Sequence, residues 1–285
     1  MIILLLIGSM NISQAQQVLT KGSGIWYFSG HPALKGDTMR VFYHRPEGQV
    51  KHMPVLFVMH GIKRNADTYR DNWVDLSKKK KVLVLVPEFT TKAFPGSRAY
   101  NNGNIRSKDK QPVPDSLWSF SLLDPIFDAV IAEIGGKQKG YDLFGHSAGA
   151  QFVHRFFLMN PSSKTKRVVA ANAGTYTMFE HQIDYPYGLK GIHYTDEQLK
   201  TVLQKQLVIQ LGEADTDPHH RYLNTGKSAM RQGAYRLERG QHFYQQAREA
   251  AQRLDVPFNW TLRTVSGVGH DNGKMAQDIA EYLYP

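Results

Sequence analysis

Ser147 sits in Gly145-His146-Ser147-Ala148-Gly149, and this is where residue types and spacing in the chain first suggest chemistry. A serine hydroxyl is a weak nucleophile at neutral pH. It becomes effective when a histidine takes its proton and a carboxylate orients that histidine. The flanks give the pentapeptide its meaning. Tyr141 to Phe144 reads as a strand running into it, and Gln151 to Phe157 leaves it as an amphipathic helix. A strand-turn-helix of this kind holds the serine on a sharp turn with its hydroxyl exposed, and Gly145, Ala148 and Gly149 are small enough for the packing that the turn imposes.

The partners are expected downstream, in the order acid then base, each at the carboxyl end of a strand. Leu207 to Leu211 ends in Gly212-Glu213-Ala214-Asp215-Thr216-Asp217, and Phe258 to Val265 ends in Ser266-Gly267-Val268-Gly269-His270-Asp271. Asp215 is the first choice as acid, ahead of Asp217 and then Glu213, and His270 is the expected base. A tetrahedral intermediate also needs two backbone donors aimed at its oxyanion. Ala148 supplies one, directly after the nucleophile. Ile62, in His60-Gly61-Ile62-Lys63 after the strand Val55 to Met59, supplies the other, with His60 bracing the loop.

These residues need a frame that brings strand ends to one edge. From residue 40 onward, short apolar runs alternate with longer helix-compatible stretches, the pattern of a mostly parallel central sheet flanked by helices. The strands expected are Met39 to His44, Val55 to Met59, Val82 to Val86, Tyr141 to Phe144, Val168 to Ala171, Leu207 to Leu211 and Phe258 to Val265. Helices are expected over Asp67 to Lys80, Pro125 to Ile134, Ser147 to Asn160, His242 to Leu254 and Asn272 to Tyr284. Two insertions rich in turn formers and aromatics, Thr90 to Ser121 and Gly174 to Lys200, are expected to wall the substrate site. Trp118, Phe120, Tyr176, Tyr185 and Tyr187 would then line an apolar acyl or aryl pocket.

Composition narrows the function classes. With 41% hydrophobic and 21% charged residues, the 285-residue chain reads as one folded catalytic domain rather than a disordered or fibrous chain. The absence of cysteine excludes disulfides, a thiol nucleophile and thiolate metal sites. Against 25 acidic residues stand 35 Lys and Arg, a net charge of +10, but the basic residues are scattered. The one dense run, Lys78 to Lys81, reads as the solvated end of a helix, so no nucleic-acid partner is expected. Ile2 to Ile7 is too short to span a bilayer and is followed by Ser13-Gln14-Ala15, which places small residues at the spacing of a signal-peptide cut before Gln16. Residues 1–15 therefore read as a leader of a secreted or periplasmic protein and 16–285 as its single domain. No cofactor is expected, and nothing in the sequence specifies an oligomeric state.

His60-Gly61 with Asn65, Tyr69 and Trp73, then Val84-Leu85-Val86-Pro87-Glu88, the Ser147 pentapeptide, Gly212-Glu213-Ala214-Asp215 and Gly269-His270 together resemble the α/β-hydrolase superfamily over residues 40–285. Within it they are loosely similar to secreted polyhydroxybutyrate depolymerases and feruloyl esterases. The resemblance implies a serine esterase working through an acyl-enzyme on small or polymeric esters. A peptidase or lactonase on the same scaffold is the alternative, because function lives in the site rather than the fold. A third reading is a metal site at Asp215, Asp217, His219 and His220, whose side chains have plausible ligand chemistry.

Overall fold

The computed structural model describes residues 19–285, so the expected leader lies outside the described residues. Eight strands form one sheet: β1 (Gly22–Phe28), β2 (Met39–Arg45), β3 (Val55–Met59), β4 (Leu83–Pro87), β5 (Tyr141–His146), β6 (Thr165–Ala171), β7 (Gln206–Gly212) and β8 (Trp260–Val265). Their spatial order is β1-β2-β4-β3-β5-β6-β7-β8. β1, β2 and β4 pair antiparallel, and every pairing from β4 through β3 to β8 is parallel. The parallel part puts the carboxyl ends of β3, β5, β6, β7 and β8 on one edge.

The helices are α1 (Ala66–Asn72), α2 (Val74–Lys80), α3 (Gly96–Ala99), α4 (Leu123–Glu133), α5 (Ala148–Met159), α6 (Asp196–Leu203), α7 (Lys227–Met230), α8 (Arg236–Arg253) and α9 (Asn272–Leu283). They cover both faces of the sheet, and the strand pleat sorts side chains between two apolar layers. Val55, Phe57 and Met59 of β3 face the layer under α4, α5, α6 and α8, while Leu56 and Val58 face the layer under α1, α2 and α9. The near-continuous apolar strand sequences follow from this double coverage.

All seven expected strands form, β3 at its expected bounds and the other six with ends shifted by one to three residues. β1 is additional. It is an edge strand with Trp26 and Phe28 turned inward and Ile25 and Tyr27 outward, an alternation unlike the continuous runs of the buried strands. The helix expected over Asp67 to Lys80 is two helices. The chain turns at Trp73, whose indole is fully buried edge-on against Phe144 at 5.4 Å. α8 starts six residues before the expected His242 because its first turn buries Arg236 and Arg239, which no apolar periodicity announces. α6 falls largely within an insertion expected to be irregular. It has its own start signal, a capping box in which Thr195 accepts from the Gln198 amide and Gln198 accepts from that of Thr195.

Asp142 is a carboxylate within the buried strand β5. Arg167 binds it with two donors, at 3.0 and 2.6 Å, and the Tyr284 hydroxyl donates to it at 2.8 Å, which ties β5, β6 and the end of α9 together. Replacing Asp142 by Ala strands these donors and should cost about 2–4 kcal/mol. This should appear as a lower urea midpoint at unchanged m-value, and an unchanged midpoint would show the network to be energetically neutral.

Candidate active site

β5 ends at His146 and α5 begins at Ala148, so Ser147 alone turns the chain. It does so at φ 60° and ψ −118°, a region that costs a residue with a Cβ on the order of 1–3 kcal/mol. Its neighbours hold it there. The Ser147 amide donates to Ala171 O at 3.0 Å, and a Cβ on Gly149 would collide with the carbonyl oxygen of Met59. A Cβ on Gly145 would likewise strike the Gly149 backbone. The two glycines thus let α5 start hard against the end of β3.

The structure brings the expected acid and base to this turn. The Ser147 hydroxyl donates to His270 Nε2 at 3.0 Å, and His270 Nδ1–H donates to Asp215 Oδ2 at 2.7 Å. Asp215 is buried, whereas Glu213 and Asp217 are exposed. Burial alone would raise the Asp215 pKa. The His270 hydrogen bond and the charges of His270 and Arg236 outweigh burial and hold it below the ordinary carboxylate value. Asp217 is engaged elsewhere, accepting from the His219 amide at 2.8 Å. Among the described residues no group of three or more histidines and carboxylates is placed to hold a metal.

The acid and base loops are 55 residues apart in sequence and are joined by backbone. Ala214 N donates to Val268 O at 2.9 Å, and Glu213 N to Val265 O at 3.1 Å. Asn172, fully buried at the end of β6, completes the joint: its Oδ1 accepts from Gly212 N at 2.8 Å and its Nδ2 donates to Gly269 O at 3.2 Å. Sequence reading passed over Asn172. Its signal was an asparagine directly after a strand, a residue type that tolerates the left-handed φ of 49° found there.

Ile62 and Ala148 border the serine from two sides. Ile62 is half exposed on the loop after β3, and Ala148 opens α5, whose first-turn amides have no intrahelical acceptor. His60 braces that loop. Its Nε2 accepts from Phe89 N at 3.0 Å, so Nδ1 carries the proton and donates to Gly61 O at 3.1 Å, while the ring stacks on Tyr100. Burial lowers its pKa to about 3.

Around Ser147 and His270 lies an open cleft of about 280 Å³, walled by Ile62, Lys63, Tyr69, His146, His220 and Asn272. The expected aromatic walls are elsewhere. Tyr176 is fully buried and stacks on Phe243 at 4.7 Å. Trp118 packs against the core and anchors its own loop by donating to Val113 O at 2.7 Å. Tyr187 accepts from Asn224 Nδ2 at 2.8 Å and borders a separate hollow with Met178 and His242. The two insertions are instead pinned to α5. Arg155, buried and with no carboxylate partner among the described residues, donates to Asn101 O, Pro186 O, Thr175 and Thr177. The cleft is therefore built from the β3 loop and α1, the turn after β5, the acid loop, the base loop and the start of α9, and polar groups line it alongside Ile62, Tyr69 and Tyr222.

No family model and no curated protein matches the chain in sequence. Among solved structures, poly(aspartic acid) hydrolase-1 from Sphingomonas sp. KT-1 is 41% identical over 94% of this chain and 100% of its own, with a TM-score of 0.90. LpqC, a poly(3-hydroxybutyrate) depolymerase from Bordetella parapertussis, is 31% identical over 93% of this chain and 90% of its own, with a TM-score of 0.88. The siderophore hydrolase EstB from Aspergillus nidulans, at 12% identity over 94% and 97% and a TM-score of 0.57, shares the fold.

Three buried histidines, His60, His146 and His154, have pKa values lowered chiefly by burial, His60 to about 3. Below pH 6.5 the unfolded chain takes up protons at these positions that the folded chain refuses. Their contribution to stability is complete above pH 6.5 and is lost as pH falls toward the folded values. Between pH 6.5 and 4.5 His60 should remove roughly 2 kcal/mol from the unfolding free energy, and His146 and His154 act in the same direction. Urea titrations across that range test this, and a constant free energy would refute it.

Proposed function

The chain belongs to the α/β-hydrolase superfamily and is a hydrolase, and from that premise we propose that it cleaves carboxylic esters by acyl transfer through Ser147. The observation that carries this reading is the file of hydrogen bonds from Ser147 through His270 to Asp215, set on a turn at positive φ.

In this mechanism His270 Nε2 takes the hydroxyl proton as Ser147 Oγ attacks the ester carbon. Asp215 holds the imidazole in the tautomer that makes Nε2 the acceptor and stabilises the imidazolium that forms. The amides of Ile62 and Ala148 receive the oxyanion; in such sites loss of one donor costs about 3–4 kcal/mol. Collapse of the intermediate expels the alcohol, which takes its proton from His270, and leaves an acyl ester on Ser147. A water deprotonated by His270 then attacks that ester, and the carboxylic acid departs as the serine regains its proton.

A second reading is amide cleavage in an anionic polymer. It is favoured by the 41% identical hydrolase of poly(aspartic acid), whose repeats are amide-linked and negatively charged, and by this chain's net charge of +10 with Lys63 on the cleft wall. The 31% identical depolymerase acts on poly(3-hydroxybutyrate), a polyester, and favours the first. Export is also part of the proposal, supported by the apolar run Ile2 to Ile7 and the small residues of Ser13-Gln14-Ala15.

Ser147→Ala should lower hydrolysis of p-nitrophenyl acetate by at least about 10³-fold and abolish labelling by a fluorophosphonate. Wild-type turnover by this variant would overturn the serine mechanism. Product release from poly(3-hydroxybutyrate) and from poly(aspartic acid), measured side by side, decides between the two bonds. Ester turnover with poly(aspartic acid) left intact supports the first reading, and the reverse supports the second.

A further inference from the structure

Asp215 has two carboxylate oxygens, and His270 occupies one. The other, Oδ1, accepts from Arg236 Nη1 at 3.1 Å. This ion pair lies in the interior: Arg236 is 1% exposed and Asp215 3%. The same guanidinium reaches further, since Arg236 Nη2 donates to His220 Nδ1 at 3.1 Å. His220 walls the cleft, with its ring centroid 5.3 Å from that of His270. Arg236 opens α8, and the next residue anchors the helix to the acid loop, Leu237 N donating to Asp215 O at 3.4 Å.

We propose that Arg236 is a positioning residue for Ser147, His270 and Asp215: it pins Oδ1 so that only Oδ2 faces the imidazole. The inference rests on the acyl-transfer reading of Ser147. A carboxylate held by a single bond can pivot about its terminal torsion, whereas a second bond from a rigid, permanently charged fork fixes its plane. Burial makes the arrangement consequential, because a charge pair shielded from water interacts more strongly than one at the surface.

The surroundings of the pair leave Arg236 as its cation. Within reach of Asp215 and His270 are Arg236 from α8, His220 from the acid loop, His146 from the end of β5 and Tyr176 from the segment after β6, and Lys63 and Tyr69 line the same cleft as His270. Of these, Arg236 is the cation hydrogen-bonded to Asp215. Without it, Asp215 is a buried anion held by His270 alone and free to pivot out of the imidazole plane.

The test is the pH profile of kcat/KM for p-nitrophenyl acetate and of the rate of fluorophosphonate labelling, in wild type, Arg236→Gln and Arg236→Lys. The Gln variant should lose at least about tenfold on the plateau, carried by kcat rather than KM. The Lys variant keeps the charge but not the fork, so it should lose plateau rate as well. A Gln profile that superimposes on wild type overturns the proposal. If the Gln variant does not fold, as judged by circular dichroism, the Lys variant decides: a wild-type plateau refutes the clamp. Ser147→Ala, run in parallel, separates the two claims, since full activity in that variant would mean that the acyl-transfer reading had failed rather than the role of Arg236.

Discussion

Gly149 faces the carbonyl oxygen of Met59 at a separation that leaves no room for a side chain. That contact sets the rest of the site. It lets the first turn of α5 sit at the end of β3, so that Ser147 and the loop carrying Ile62 border one cleft. The chain passes from β5 to α5 through a single residue, Ser147, at φ 60°, held by its amide on Ala171. Two glycines and a parallel pairing of β3 with β5 thus decide where the hydroxyl points.

The polar interior around this knot follows one rule. The buried arginines direct most of their donors at fixed oxygens, and only some of those oxygens carry charge. Arg236 meets a carboxylate. Arg155 meets carbonyls, hydroxyls and an amide, and burial lowers its pKa to about 10 without a carboxylate partner to offset that effect. Arg239 likewise spends its donors on Gly174 O, Gly233 O and Asn224 O. The carbonyls come from irregular segments that lack a ladder of their own, so these arginines satisfy backbone groups that burial would otherwise strand.

Much of this was legible in the sequence because it depends on local patterns. The strand-turn-helix around Ser147, and the strand ends before Asp215 and His270, are short-range signals with a steric reason. What was not legible depends on long-range pairing. Asn172, Arg236 and His220 are ordinary polar residues until the sheet brings β6, β7 and α8 together. The aromatics of the insertions look alike whether they line a pocket or anchor a loop, and here they anchor. Trp73 shows the same limit within one element: amphipathic spacing continues through it, while the helix breaks there and its ring packs on Phe144 of the sheet.

Along β5, β6, β7 and β8 the strands are laid down in the order in which they neighbour one another, and the site residues follow that order: Ser147, Asn172, Asp215, Arg236, His270. On a ribosome Ser147 is therefore translated 123 residues ahead of His270. Asn172 also waits for its acceptor at Gly269, which follows it by 97 residues. A nascent chain holds the Ser147 turn without its hydrogen-bond acceptor until β8 has joined the sheet. Completion of the hydrogen-bonded file is thereby deferred until the sheet itself is complete, a timing set by strand order.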